Sequence, residues 1–420
     1  MGVLEQLKKD FPNSPDCVRL KAALLFYGVQ FDRLLAEAGK WAFPNFMPYH
    51  LPPGEAPFEG QRRIAIPYLF RMEDDTQVRI RIKDESPFSL ECSADERWFH
   101  ILENGQRVAR TTFEPRLGWV DKITSDGTPM RSTGLSQHGE MLVLNVAPGC
   151  EYFVAPGATE KRTENLSCSF CLYGLPDKRM EPLGQELYQI SLPDETYLRV
   201  IEACQDPNTQ AKQLYMVGGS MLNPADEGRR FVELAKALND AGLCDRYYVA
   251  CGSGAIPKDA MVELKALGVR GACFNLEVWD AKAFARICPG KSKFVGRDAW
   301  LRALEDAVDV FGPNQVMTAF VGGVELEGDE GMTPEEALKS AQEAGEYLIP
   351  RGIQPVYSLH WRTTGANRGQ EPVYSLPLFL QINESLATLR RKHKMPMNQE
   401  FLSKRGAYMQ LEPDYDEGQW

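Results

Sequence analysis

Two cysteines, Cys168 and Cys171, stand three residues apart in the stretch "ENLSCSFCLYG", residues 164–174, with an aromatic side chain, Phe170, between them. Thiolates at this spacing serve as a zinc half-site, as a thioredoxin-like redox pair, or as ligands of an iron–sulfur cluster. Zinc requires further Cys or His ligands. The next cysteine, Cys204, stands alone, and the chain has no second Cys-x-x-Cys. A redox pair of the thioredoxin type opens a helix directly after a strand in a small fold, a context missing here. Two buried, reduced thiols are the plain alternative. The five histidines contain no H-x-H or H-E-x-x-H pair, which argues against a zinc-dependent hydrolase.

The elements that must position these thiols change in texture along the chain. After a short helix around "CVRLKAALLFYGV", the segment "QVRIRIKD" alternates Val78, Ile80 and Ile82 with basic residues, the period of a half-buried strand. "RWFHILENGQRVARTTF" reads as a hairpin turning at Asn104-Gly105. Residues 1–140 are therefore expected to form a β-rich accessory domain. From residue 141 the rhythm becomes strand–helix: "MLVLNV", "QLYMVGG", "RYYVACG", "VRGACFNL", "QVMTAFVGG" and "GIQPVYSL" are separated by helical segments. Thr333, Pro334 and Glu336 carry a capping-box signature, and Gly242 and Gly268 suit helix ends. Six such units demand an α/β fold with a parallel sheet, either open and doubly wound or a partial (β/α)6 TIM-like barrel. Ligands then belong at the C-terminal ends of the strands. Residues 366–420 read as a closing helix and tail.

With 420 residues, 43% of them hydrophobic and 25% charged, the chain can bury a substantial core. A formal charge of −11 opposes broad nucleic-acid binding. There is no secretory h-region at the start and no apolar run of membrane-spanning length, so a cytoplasmic location without membrane contact is expected. Ten cysteines are too few for a disulfide scaffold.

"NLSCSFC" closely resembles the second part of the C-x-x-x-C-x-aromatic-C motif of radical S-adenosylmethionine (radical SAM) enzymes. The resemblance implies a 4Fe–4S cluster held by three thiolates, with one iron left open for S-adenosyl-L-methionine; four thiolates would leave no such site. It also implies that Phe170 packs near the cosubstrate's adenine. Glu164 stands where the family's first cysteine would be. Cys150, in "LNVAPGCEYF", follows the first barrel strand as that first cysteine does, with fourteen more residues before Cys168 than Glu164 has. The longer loop costs only about 1–2 kcal/mol more to close. Sulfur is the softer donor, so Cys150, Cys168 and Cys171 are the expected metal ligands, with Glu164 the alternative to Cys150.

Further stretches carry the same resemblance across residues 141–365. Gly218, Gly219 and Ser220 stand where the family has G-G-E, which implies contact with the cosubstrate, although Ser220 replaces the carboxylate. "TAFVGGVELEG" resembles G-x-I-x-G-x-x-E near adenine: Phe320, Gly322 and Glu325 match, and Thr318 replaces the first glycine. Asn275 and Glu277 in "CFNLEVWD" would face the barrel mouth. With "CPGKSKFVGRD" following, this region resembles the biotin-synthase-like branch and makes Arg297 a candidate for the cosubstrate carboxylate. "LHWRTTG" offers His360 and Arg362 to a substrate. The resemblance implies oxygen-sensitive cleavage of S-adenosylmethionine to a 5′-deoxyadenosyl radical, hydrogen abstraction from a small organic substrate, and flavodoxin or ferredoxin as electron donor. No cysteine follows Cys288, so no auxiliary cluster is expected. The rival readings are a binding protein on a decayed barrel, which would hold no iron, and the zinc hydrolase, which would hold zinc in air.

Overall fold

The computed structural model describes residues 1–30, 69–81, 83, 85–92, 98–114, 117–147, 149–153, 165–171, 194–364 and 369–416. Two helices, α1 (Val3–Asp10) and α2 (Asp16–Tyr27), precede a five-stranded antiparallel sheet. Its strands are β1 (Leu69–Met72), β2 (Gln77–Arg79), β3 (Phe88–Cys92), β4 (Phe99–Glu103) and β5 (Gln106–Phe113). Asn104 and Gly105 both take positive φ, 48° and 82°, as the two-residue turn between β4 and β5 requires. The alternating stretch near residue 80 is strand only over Gln77–Arg79; Ile82 lies outside the described residues.

The second sheet has seven strands: β6 (Leu135–His138), β7 (Met141–Ala147), β8 (Gln213–Gly218), β9 (Tyr248–Gly252), β10 (Gly271–Cys273), β11 (Val316–Gly322) and β12 (Ile353–Leu359). β7 to β12 run parallel, and β6 joins as the antiparallel arm of a hairpin. The expected boundary at residue 140 thus falls inside the β6–β7 turn. Spatial order follows chain order from β6 to β12. With right-handed crossovers throughout, a sequential order keeps every helix on one face, so the sheet curls into a partial barrel. A doubly wound sheet would reverse its order midway, and this one does not.

Among the described residues the outer layer comprises α3 (Asp194–Gln205), α4 (Pro224–Asp240), α5 (Leu243–Arg246), α6 (Lys258–Ala266), α7 (Ala281–Ile287), α8 (Pro289–Phe294), α9 (Arg297–Phe311) and α10 (Pro334–Leu348). Thr333 and Glu336 close a reciprocal capping box on α10. After the hairpin β13 (Trp361–Thr364) and β14 (Gly369–Pro372), α11 (Leu376–His393) packs on α10 and α2.

The tail is not an appendage. Met397 and Phe401 pack against Tyr248, Ala250, Cys273, Met317 and Val356, the side chains that line the concave face of the sheet. At the strand starts Asn398 Nδ2 donates to Asn314 O at 3.1 Å and to Gln315 Oε1 at 2.9 Å, and Pro396 O accepts from Gln354 Nε2 at 2.8 Å. Residues 395–411 therefore plug the N-terminal end of the half-barrel and leave its C-terminal mouth for chemistry.

Candidate functional site at the barrel mouth

Three separate segments meet at that mouth. The first carries Cys150, just past β7. It is stitched to the loop after β8: Glu151 N donates to Ser220 O at 2.9 Å, and Leu222 N donates to the Glu151 carboxylate at 2.6 Å. Gly219 has no Cβ because there is no room for one; a Cβ there would lie 2.7 Å from that of Cys150. The second segment carries the cysteine pair. Cys171 N donates to Cys168 O at 3.0 Å, a turn that sets both thiols on one short bend. Leu166 N reaches Tyr152 O at 2.9 Å, joining this segment to the first. The third is the corner between α7 and α8. Ser169 N donates to Ile287 O and Gly290 N to Leu166 O, each at 2.9 Å, while the Tyr152 and Phe294 rings stack 5.9 Å apart.

Charge follows this geometry. The Cys168 sulfur accepts a hydrogen bond from the Cys288 thiol and lies near the Lys291 ammonium; together these hold it below the ordinary thiol range despite burial. Burial pushes Cys150 up. Cys288, fully enclosed and donating to Cys168, is pushed well up. Lys291 Nζ donates to Asn275 O at 2.6 Å and to Glu277 Oε1 at 2.7 Å, and stands 4.5 Å from the Trp300 ring centroid. Burial alone would favour the neutral amine, yet Glu277 and the two thiols hold the proton on it. Glu277 takes φ 71°, a left-handed conformation unusual for a side-chain-bearing residue and a local strain at the strand end. Behind the β8 loop, buried Glu227 accepts from Met221 N at 2.9 Å and Gly254 N at 2.6 Å, bracing two strand-end loops.

The other expected residues divide. Phe170 and His360 face each other edge-on with ring centroids 6.4 Å apart, and His360 Nε2 lies 3.4 Å from Glu327 Oε2. Gly218 ends β8 opposite Ala147. Asn275 Oδ1 accepts from Ala319 N at 3.2 Å and from the Cys273 thiol at 3.0 Å, so this oxygen bridges β10 and β11. Thr318 does the same through Phe274 O and Leu276 N. Glu325 is buried, accepting from Gly323 N at 3.0 Å and from Tyr374 OH, and burial raises its pKa. Gly322 makes room for the Tyr374 ring, 2.7 Å from where its Cβ would be. Arg297 is not brought to the cysteines: its Nε donates to Trp279 O at 2.8 Å and its guanidinium stacks over the Trp279 ring, which packs on Tyr347 of α10. Glu164 and the side chain of Arg362 lie outside the described residues.

Sequence reasoning passed over Cys288, Lys291, Glu227 and Glu151. Their signal was present only faintly, as a cysteine and a lysine flanking the Pro289-Gly290 corner. Among the described residues no three His, Cys, Asp or Glu side chains surround one metal-sized point. The donors nonetheless fit a thiolate-held group in type and place: soft sulfur atoms at the mouth, a nearby buried cation to balance negative charge, and close-packed glycines.

No protein-family model matches the chain. A curated protein, bacteriochlorophyllide c C-7(1)-hydroxylase from Chlorobaculum limnaeum, is similar over 345 residues at 22% identity, spanning 78% of this chain and 75% of its own. Among solved structures, methylornithine synthase has TM-score 0.39 at 13% identity, covering 66% of this chain and 72% of its own. A radical SAM methyltransferase from Sphaerobacter thermophilus has TM-score 0.38 at 14% identity, covering 76% and 78%.

Proposed function

We propose that the chain is a radical SAM enzyme whose 4Fe–4S cluster is held by Cys150, Cys168 and Cys171, and which abstracts hydrogen from a small organic substrate at the barrel mouth. The observation that carries this reading is the stitching of the Cys150 segment to both the Gly219 loop and the Cys168–Cys171 turn. The chemistry such a cluster supplies is one-electron reductive cleavage of S-adenosylmethionine to a 5′-deoxyadenosyl radical, with flavodoxin or ferredoxin as donor.

The protein's own residues have four tasks. The Cys168–Cys171 turn presents two sulfurs from one rigid bend, and Cys150 adds a third from across the loop junction. The Gly218-Gly219 backbone lets a ligand approach the strand end closely. Phe170 and His360 wall the opposite rim with apolar and aromatic surface, which keeps water from a reactive centre. The tail below closes the chamber from the far side. The curated relative is named for a bacteriochlorophyllide, which makes tetrapyrroles the first substrates to offer.

Anaerobic reconstitution with iron and sulfide, followed by dithionite and S-adenosylmethionine, tests the reading. About four irons per chain and production of 5′-deoxyadenosine are expected. Cys150→Ala should lose iron and product, while Glu164→Ala should retain both. The reverse pattern would move the third ligand to Glu164, and a colourless protein that makes no 5′-deoxyadenosine would end the proposal.

A further inference from the structure

Cys288 has no part in the ligand set, yet the backbone sets it directly opposite Cys168. The Ser169–Ile287 and Leu166–Gly290 hydrogen bonds obey one antiparallel register, in which each step forward from 166 is a step back from 290. That register pairs 168 with 288. Gly290 permits the approach, since a Cβ there would fall 2.7 Å from Leu166 O. The Cys288 side chain is fully enclosed, shut away from solvent at this corner. It is a weak donor aimed at a sulfur.

We propose that Cys288 is a positioning residue: its S–H donates to the Cys168 sulfur and so tunes the reduction potential of the cluster that Cys168 holds. This rests on the cluster reading above. Reduction adds negative charge to the cluster and its sulfurs, and a hydrogen bond to a ligand sulfur stabilises that charge, raising the potential. Removing the donor therefore drives the potential down. Serine keeps an X–H group of nearly the same reach, so it should restore most of the effect.

The test uses the full chain, reconstituted anaerobically as wild type, Cys288→Ala and Cys288→Ser. Iron content and the midpoint potential from EPR-monitored titration are read for each, with circular dichroism as the folding control. All three should bind equal iron, with the alanine midpoint more negative than wild type and the serine midpoint moved back toward it. An unchanged alanine midpoint overturns the proposal. Loss of iron in both variants beside a loaded wild type overturns it too, by making Cys288 a ligand.

The pairing itself is read without any cluster. Iron-free wild type treated with diamide, which accepts two electrons and two protons from a pair of thiols, should yield a Cys168–Cys288 disulfide peptide by mass spectrometry. Absence of that peptide overturns the juxtaposition. Its presence in a chain that refuses iron would leave the pairing standing and remove the cluster reading instead.

Discussion

At the scale of single residues, the mouth depends on one buried ion pair. Lys291 and Glu277 keep only 9% and 13% of their side chains exposed, so both charges have left bulk water and each relies on the other. Breaking such a pair by removing one partner costs about 3–5 kcal/mol, because the survivor stays buried and uncompensated. Lys291→Met is expected to destabilise the chain by that amount in urea unfolding. Lys291→Met combined with Glu277→Gln should recover part of the loss, and a double variant as unstable as the two single losses added together would show that the pair is not coupled. The pair was half legible in the sequence. Glu277 was singled out at a strand end, but nothing local tells a reader that a lysine fourteen positions on folds back to meet it. Arg297 shows the converse: it was singled out as a candidate for the cosubstrate carboxylate, and its stacking on Trp279 was invisible because it depends on how α9 packs.

At the scale of elements, the β8 loop is the junction on which the Cys150 segment rests. Gly219→Ala would set a methyl group against Gly149 and the Cys150 backbone, neither of which can rotate away as a flexible side chain would. Overpacking of this kind costs about 1–3 kcal/mol. The expected outcome is a chain that folds with reduced stability and takes up markedly less iron on reconstitution; wild-type iron content in Gly219→Ala would detach Cys150 from the site. The six parallel strands and their helices were readable because apolar runs, Gly ends and the Thr333–Glu336 cap are local signals. The sheet's order was left between two options because strand adjacency is decided by contacts distant in sequence. β6 carries no local signal for the same reason: its four residues gain meaning only by pairing with β7.

At the scale of the whole molecule, each of the two sheets has an edge strand that the C-terminal tail meets, β2 in the five-stranded sheet and β12 in the half-barrel. Gln77 N and Arg79 N of β2 donate to Lys404 O and Tyr408 O of the tail. Further along, Gln410 reaches Ser358 and Glu412 accepts from Tyr357 N, both on the edge strand β12. Unpaired strand edges invite association with other chains, and the tail removes that exposure. The sequence was read over residues 366–420 only as a closing helix and tail, so the burial of 395–416 was not foreseen. Their chemistry sets a pH dependence. Glu412 is completely buried, and burial pushes its carboxyl up to about 7 from 4.5, although Arg390 and Lys21 favour the charged form. The folded chain therefore holds a proton that the unfolded chain has released once the pH passes 4.5. Stability from this group is fully present below about 4.5, falls as pH rises through about 7, and is level above that. The whole span is on the order of 3 kcal/mol. Glu412→Gln keeps an acceptor for Tyr357 N but cannot ionise, so urea midpoints measured between pH 5 and pH 8 should fall in the wild type and stay flatter in the variant. Equal slopes in the two proteins would mean that the tail is locked by packing alone, with Glu412 contributing nothing to how its grip on β12 varies with acidity.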